Sequence, residues 1–117
     1  MKQVFSVPER GDVVLITLLP PGRRDKTSAR RAVLVLSPQA YNARVGLALV
    51  CPITSRVTGY PFEVAVPPGL PIAGVVLADQ ASSLDWRACR AERTGTLPAG
   101  VVSEALGKLG AILSQPK

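Results

Sequence analysis

Apolar residues along the chain fall into short, nearly continuous runs separated by Pro-, Gly- and Arg-rich breaks. Runs of this length, rich in Val and Leu, read as strands, and the ones without alternation suit a sheet centre. Residues 8–12 read as a turn, and 13–19 as a strand ending at Pro20-Pro21-Gly22. Residues 23–30 form a polar loop too charged to be buried, and 31–36 a strand that is apolar after its first residue. A turn or single helical turn is expected over 37–42. A second buried strand follows over 45–53, with Pro52 near its end, where a missing donor is tolerated. After a polar loop at 54–58 and a turn at Gly59-Tyr60-Pro61 come strands at 62–66 and 74–78, joined by a rigid connector at 67–71. The run at 74–78 leads into Asp79-Gln80; 84–87 continues the pairing and 90–96 closes the β region.

The last element differs. Val102, Leu106, Leu109 and Leu113, with Ala105 and Ile112 beside them, repeat at helical spacing. Thr96 is the expected N-cap and Pro98 fits the first turn. Gly107 and Gly110 each weaken such a helix by about 1 kcal/mol relative to Ala, and a helix that keeps two glycines often packs closely against something. The pattern predicts a mainly β fold: a small, strongly bent, barrel-like antiparallel sheet with one C-terminal α-helix, all in one domain spanning 1–117.

Composition sharpens this. Of 117 residues, 47% are apolar but only 4% aromatic, so the core is aliphatic. The charged fraction of 19% is low, which argues against disorder and points to apolar surface hidden in an oligomer. The net charge of +6 fits a nucleic-acid binder, because Lys and Arg displace counterions from phosphates; simple solubility would also explain it. Histidine is absent, which excludes a Ser-His-Asp triad and His-pair ribonuclease chemistry. Two cysteines, Cys51 and Cys89, suit a reducing cytosol, with Cys51 in the core. No zinc set, phosphate-binding loop or dinucleotide motif is present, so neither metal nor cofactor is expected. No run reaches membrane-spanning length and the start does not read as a signal peptide, so a cytoplasmic protein without membrane contact is expected.

Three constellations are candidates for chemistry. Arg23, Arg24, Lys26, Arg30 and Arg31 set five cations against one acid, Asp25, within nine residues. Such a run is often only a solvated loop, but Arg31 abuts an apolar strand and is held more rigidly, as a phosphate donor should be. Thr54 ends a strand and opens Thr-Ser-Arg; strand-end hydroxyls commonly satisfy nearby backbone. Asp79-Gln80 with Ser82-Ser83 either reads base edges or caps a turn. Aromatics are few and read mostly as core or turn anchors, with base stacking by Tyr60 or Phe5 the lesser alternative.

These segments, in order, resemble the MazF/PemK (Kid) toxins of bacterial toxin–antitoxin systems, the MazF branch especially. The matching stretches are Gly11-Asp12-Val13, then Arg31-Ala32-Val33-Leu34-Val35-Leu36-Ser37-Pro38 with Tyr41-Asn42, and Pro52-Ile53-Thr54-Ser55. Gly59-Tyr60-Pro61-Phe62-Glu63-Val64, Leu77-Ala78-Asp79-Gln80, Ser83, Trp86-Arg87 and Gly95-Thr96 complete the series. The resemblance implies an SH3-like or CcdB/MazF-type barrel with a C-terminal helix. It implies a homodimer that cleaves single-stranded RNA at short sequences and is neutralised by a MazE-like antitoxin. The family's catalytic arginine and threonine fall on Arg31 and Thr54. Its RNA-contacting positions fall on Gln80 and Ser83, with Arg23, Arg24, Lys26, Arg30, Ser55 and Arg56 expected to bind RNA from the flanking loops. The family's Arg-Pro is Arg31-Ala32 here and its Thr-Thr is Thr54-Ser55, while a common loop Glu is replaced by Asp25 and Lys26, so the target sequence does not carry over.

The implied chemistry needs no metal, because RNA supplies its own 2′-OH nucleophile. Attack on the adjacent phosphorus leaves a 2′,3′-cyclic phosphate and a 5′-OH. Arginine stays cationic and matches phosphate geometry, so Arg31 is better suited to stabilising charge than to moving protons. Two other readings stand beside this one: a same-fold toxin that binds and inhibits DNA gyrase without catalysis, and a non-catalytic basic RNA-binding barrel.

Overall fold

A computed structural model describes residues 6–18 and 29–114. It contains strands β1 (Asp12–Leu18), β2 (Ala29–Val35), β3 (Ala48–Thr54), β4 (Glu63–Ala65), β5 (Val75–Leu77), β6 (Ser82–Leu84) and β7 (Glu92–Thr96). Two α-helices, α1 (Gln39–Val45) and α2 (Ala99–Leu113), and a 3-10 turn at Ala78–Gln80 complete it. The strands pair antiparallel in the order β4-β5-β3-β2-β1-β7, with β6 also on β3. The expected bent antiparallel sheet with a C-terminal helix is therefore present. Among the described residues it is open rather than a closed barrel, with β4 and β7 at its two ends.

The bend comes from β3, which changes partners along its length. Ala48, Leu49 and Val50 pair with β6, whereas Ile53 and Thr54 pair with β5. Pro52, which has no N–H to donate, sits at the change-over. The continuous apolar run of β2 is explained by burial on both faces. Leu34 and Leu36 join the layer under α2 with Cys51, Val64, Val76, Val101, Val102 and Ala105. Val33 and Val35 join a second layer with Val14, Ile16, Val50 and Trp86. No described helix is long and apolar enough to cross a membrane.

Local pattern misplaced several boundaries. Val45, the first residue of the run at 45–53, ends α1, and β3 starts only at Ala48. Helix α1 is longer than a single turn. Only Asn42 of its residues is buried, so no apolar stripe announces it; it ends on Gly46 at φ 83°. Pairing with β3 involves Ser82–Leu84 rather than 84–87, because β6 is largely exposed and carries polar residues. Pro98, not Thr96, occupies the N-cap position of α2, with no side-chain cap. Thr96 ends β7, where its hydroxyl accepts from Arg93 Nη2 at 3.0 Å. Gly107 and Gly110 have no described atom outside their own helix backbone within 4 Å of a would-be Cβ, so close packing on this chain's own sheet does not explain them.

Asn42 ties the connection between β2 and β3 to the core. Fully buried, it donates to the carbonyls of Pro8 at 2.8 Å and Ser37 at 3.1 Å, and accepts from Ser37 Oγ at 2.5 Å. Ser37 Oγ in turn accepts from Leu49 N at 2.8 Å, and the buried Trp86 donates Nε1 to the Asn42 carbonyl at 3.1 Å. Asn42→Ala leaves several buried groups without partners and should cost about 3 kcal/mol at roughly 1–3 kcal/mol for each unmade bond. A thermal melt should show Tm lower by roughly 10–20 °C, and a shift of only a degree or two would contradict this account.

Candidate functional site at the end of the β2–β3 pair

The β2–β3 ladder pairs Val35 with Val50, Leu34 with Cys51 and Val33 with Pro52. The paired positions end there; extended by two residues, the register aligns Arg31 with Thr54, which itself pairs with Val75 of β5. Directly opposed residues of an antiparallel pair project from the same face. Arg31 is exposed and also pairs with Ile16 of β1, so its backbone is held in the sheet while its side chain reaches water.

The same face continues across β5 and β4. Thr54 pairs with Val75, Ala65 with Val75 and Glu63 with Leu77, so Thr54, Leu77 and Glu63 project together. They line a hollow of about 340 Å³, closed by Arg56, Thr58, Tyr60 and Gln80. Its size lies at the small end of ligand sites. Thr54 is fixed from behind by Gly74, at φ 124°, where a Cβ would fall 2.1 Å from the Thr54 carbonyl oxygen. Thr54 Oγ1 accepts from Arg56 N at 3.1 Å. That is the ordinary strand-end use of a hydroxyl, and it leaves the hydroxyl hydrogen able to donate into the hollow.

The loop between β3 and β4 is braced from both sides. Inside, the Glu63 carboxylate accepts from Thr58 N at 3.0 Å, Thr58 Oγ1 at 2.8 Å and Gly59 N at 3.1 Å. Outside, Lys108 of α2 donates to the carbonyls of Pro61 and Glu63, each at 2.9 Å, and lies 3.4 Å from Glu104. The hydrogen bond from Thr58 N, with those from Thr58 Oγ1 and Gly59 N, holds the Glu63 carboxyl below its ordinary 4.5. On the far wall the Tyr60 hydroxyl donates to Asp79 Oδ2, and the Tyr60 and Phe62 rings lie 5.8 Å apart. Asp79 Oδ1 is buried without a hydrogen-bond partner among the described residues. Beneath it, burial first and the Asp79 charge second push the Cys51 thiol up to about 11, consistent with an inert core cysteine.

Of the residues singled out by sequence, Thr54, Arg56, Tyr60 and Gln80 meet in this hollow. Ser55 is exposed beside them. Arg30 pairs with Thr17, one position along from Arg31, and so projects from the opposite face, with its guanidinium 2.8 Å from Glu92. Ser83 pairs with Leu49, which alternates with Thr54 along β3 and therefore lies on the other face. Arg23, Arg24, Lys26 and Phe5 lie outside the described residues. Sequence reasoning missed Glu63 as the loop's anchor, Lys108 as its outer brace, Gly74 behind Thr54, and the Tyr60–Asp79 link. A larger hollow, about 580 Å³, opens around Pro8, Asp12, Gln39 and Arg93. The Asp12 carboxylate within it is already engaged by Glu9 N at 2.9 Å and Arg93 Nε at 3.1 Å, so the smaller hollow beside Thr54 is the better candidate.

The bracing of Glu63 has a pH signature. Its folded pKa is lowered, so its contribution to loop order is present above the ordinary value and is lost as pH falls through the folded one. Thr58 and Gly59 amide resonances should therefore titrate with a midpoint below 4.5. A midpoint at or above that value would remove Glu63 as the anchor.

Comparison with known proteins agrees with this geometry. The model of the PemK-like, MazF-like toxins of type II toxin–antitoxin systems matches residues 9–113. The endoribonuclease toxin MazF of Escherichia coli K12 is 40% identical over 91 residues, covering 78% of this chain and 80% of that protein. The endoribonuclease toxin ChpB of the same organism is 38% identical over 110 residues, covering 90% and 93%. A crystal structure of a MazE–MazF complex from Deinococcus radiodurans superposes with a TM-score of 0.89 at 47% identity, over 96% of this chain and 100% of the matched one. With the family model spanning almost the whole fold, this chain belongs to the PemK-like, MazF-like toxins of type II toxin–antitoxin systems, whose curated relatives are endoribonucleases.

Proposed function

We propose that this chain is a sequence-specific, metal-independent endoribonuclease that cuts single-stranded RNA, mRNA in the cell, and so arrests translation and growth. The observation that carries the reading is the β2–β3 ladder, paired as far as Val33 and Pro52, whose register extended by two residues aligns Arg31 with Thr54 of the hollow that Gln80 also lines. The substrate's 2′-OH attacks the adjacent phosphorus, the bond to the 5′ oxygen breaks, and the products are a 2′,3′-cyclic phosphate and a 5′-OH. Arg31 neutralises charge growing on the phosphate oxygens, a guanidinium being matched to them in shape and sign. Thr54 donates its free hydroxyl hydrogen to the same oxygens. Gln80 offers both a donor and an acceptor to a base edge, and Arg56 with Ser55 contacts the neighbouring backbone. Arg23, Arg24 and Lys26 extend the cationic track, whereas Arg30, on the opposite face against Glu92, and Ser83, opposite Leu49, lie away from it.

The chain acts as a cytoplasmic homodimer and is restrained by a MazE-like antitoxin. Support for the antitoxin is the likeness to MazF in a MazE–MazF complex. Support for the dimer is the uncovered C-terminal part of α2, where Ile112 and Leu113 are 38% and 75% exposed.

The test is incubation of the purified protein with a long, mixed-sequence single-stranded RNA in EDTA. Discrete fragments with 5′-OH ends are expected. Arg31→Ala and Thr54→Ala should each lower the rate by roughly 100-fold or more, the scale of removing one preorganised charge-stabilising group. Intact RNA from folded wild-type protein overturns the reading. Binding should also weaken steeply with salt, log K falling by about 0.7 per decade of salt for each phosphate engaged. A flat salt dependence would remove the cationic track from the account.

A further inference from the structure

Tyr60 is 43% exposed and lines the hollow beside Thr54 and Gln80. Among the described aromatics, Trp86 is 2% exposed, Phe62 is half-buried behind Tyr60, and Tyr41, though exposed, sits on α1 and does not line the hollow. Exposing a large ring is unfavourable in water. Yet this ring is held on two sides, by Phe62 tilted 58° to it and by its hydroxyl on Asp79. The tether has a cost of its own, since the second carboxylate oxygen of Asp79 is buried with no partner among the described residues. Two features that folding alone disfavours thus meet at the wall of the candidate RNA pocket, where such exceptions call for a functional account.

We propose that Tyr60 is the surface on which a base flanking the scissile phosphate stacks, and that Asp79 is a positioning residue that holds the ring by its hydroxyl. This rests on the ribonuclease reading above. A ring fixed before binding loses little conformational freedom when a base lands on it. Every base presents a π-face, so the stack supplies affinity without choosing sequence. Asp79 and Gln80 share the 3-10 turn Ala78–Gln80, so the tether also sets the ring relative to the residue that reads a base edge. That turn is joined to the ring's own segment by Ala78 N donating to the Phe62 carbonyl at 3.0 Å. The hydrogen bond to Asp79 raises the Tyr60 pKa, which keeps the phenol protonated and able to donate.

The experiment measures kcat and KM on an oligoribonucleotide spanning a cleavage site mapped on the long mixed-sequence RNA, with folding of each variant checked by circular dichroism. Tyr60→Ala should raise KM roughly 10- to 100-fold, the range one base–aromatic stack supports, with kcat changed far less. Tyr60→Phe keeps the ring but cuts the tether, and should raise KM by a smaller factor. Asp79→Ala should match Tyr60→Phe, and the double variant should be no worse than either alone. Asp79→Asn, which keeps an oxygen to accept from the phenol, should recover part of the loss. Substrates with an abasic residue at one flanking position should show raised KM with wild-type protein and no further penalty with Tyr60→Ala.

Wild-type protein that cuts no RNA overturns both readings. Wild-type cleavage with Tyr60→Ala unimpaired, or with losses from Tyr60→Phe and Asp79→Ala that multiply, overturns this inference alone. So does a collapse of kcat in Asp79→Asn with Tyr60→Phe unaffected, since Asp79 would then act on the RNA directly.

Discussion

The register between β2 and β3 is the constraint on which the rest of the structure depends. It puts Leu34 beside Cys51 in one layer and Val33 beside Pro52 on the other face, and carried outward it aligns Arg31 with Thr54. A slip of one residue would turn every side chain of β2 to the opposite face. Hydrophobic alternation does not enforce this register, because β2 is apolar on both sides. The connection enforces it. Ser37 and Asn42 lock the start of α1 to Pro8 and to Leu49, and Leu36 N donates to the Leu49 carbonyl at 2.8 Å. A small buried polar network at one end of the strand pair thus fixes the ladder that runs toward exposed Arg31 and half-buried Thr54 at the other end.

The second determinant is the bend of β3. By leaving β6 for β5 near Pro52, the strand delivers Thr54 to a smaller sheet whose near face is lined by Glu63 and Leu77. Gly74 permits the close approach. The loop that closes the hollow is then carried by two opposite charges on opposite sides, Glu63 holding amide hydrogens within and Lys108 holding carbonyls from α2. The C-terminal helix therefore covers the core and also shapes the site.

Two carboxylates beside a pocket proposed for a polyanion run against the charge it needs. Each is committed internally, Glu63 to Thr58 and Gly59 and Asp79 to the Tyr60 hydroxyl. Their hydrogen-bonding capacity serves the walls, while Arg56, which lines the hollow, and Arg31 on β2 remain exposed. Arg30 illustrates how fine this sorting is. One residue from Arg31, it projects from the other face and lies against Glu92.

The sequence by itself determined the element types that burial dictates. Unbroken apolar runs could only be strands in a doubly covered sheet, and the helical stripe of α2 could only be a helix lying on one layer. It also narrowed the available chemistry, because a chain without histidine must work with Arg, Lys, carboxylates, hydroxyls or backbone groups. The ordered motifs identified the family and, through it, paired Arg31 with Thr54. Helix α1 and strand β6 were misplaced because they bury little, so no periodic pattern marks them. Only the tertiary structure decided which faces Arg30 and Arg31 take, that Glu63 and Lys108 brace the loop, and that Asp79 holds Tyr60. Those links join residues far apart in the chain, such as Lys108 to Pro61 and Tyr60 to Asp79. They follow from strand register and sheet bend, which no local spacing of residues encodes.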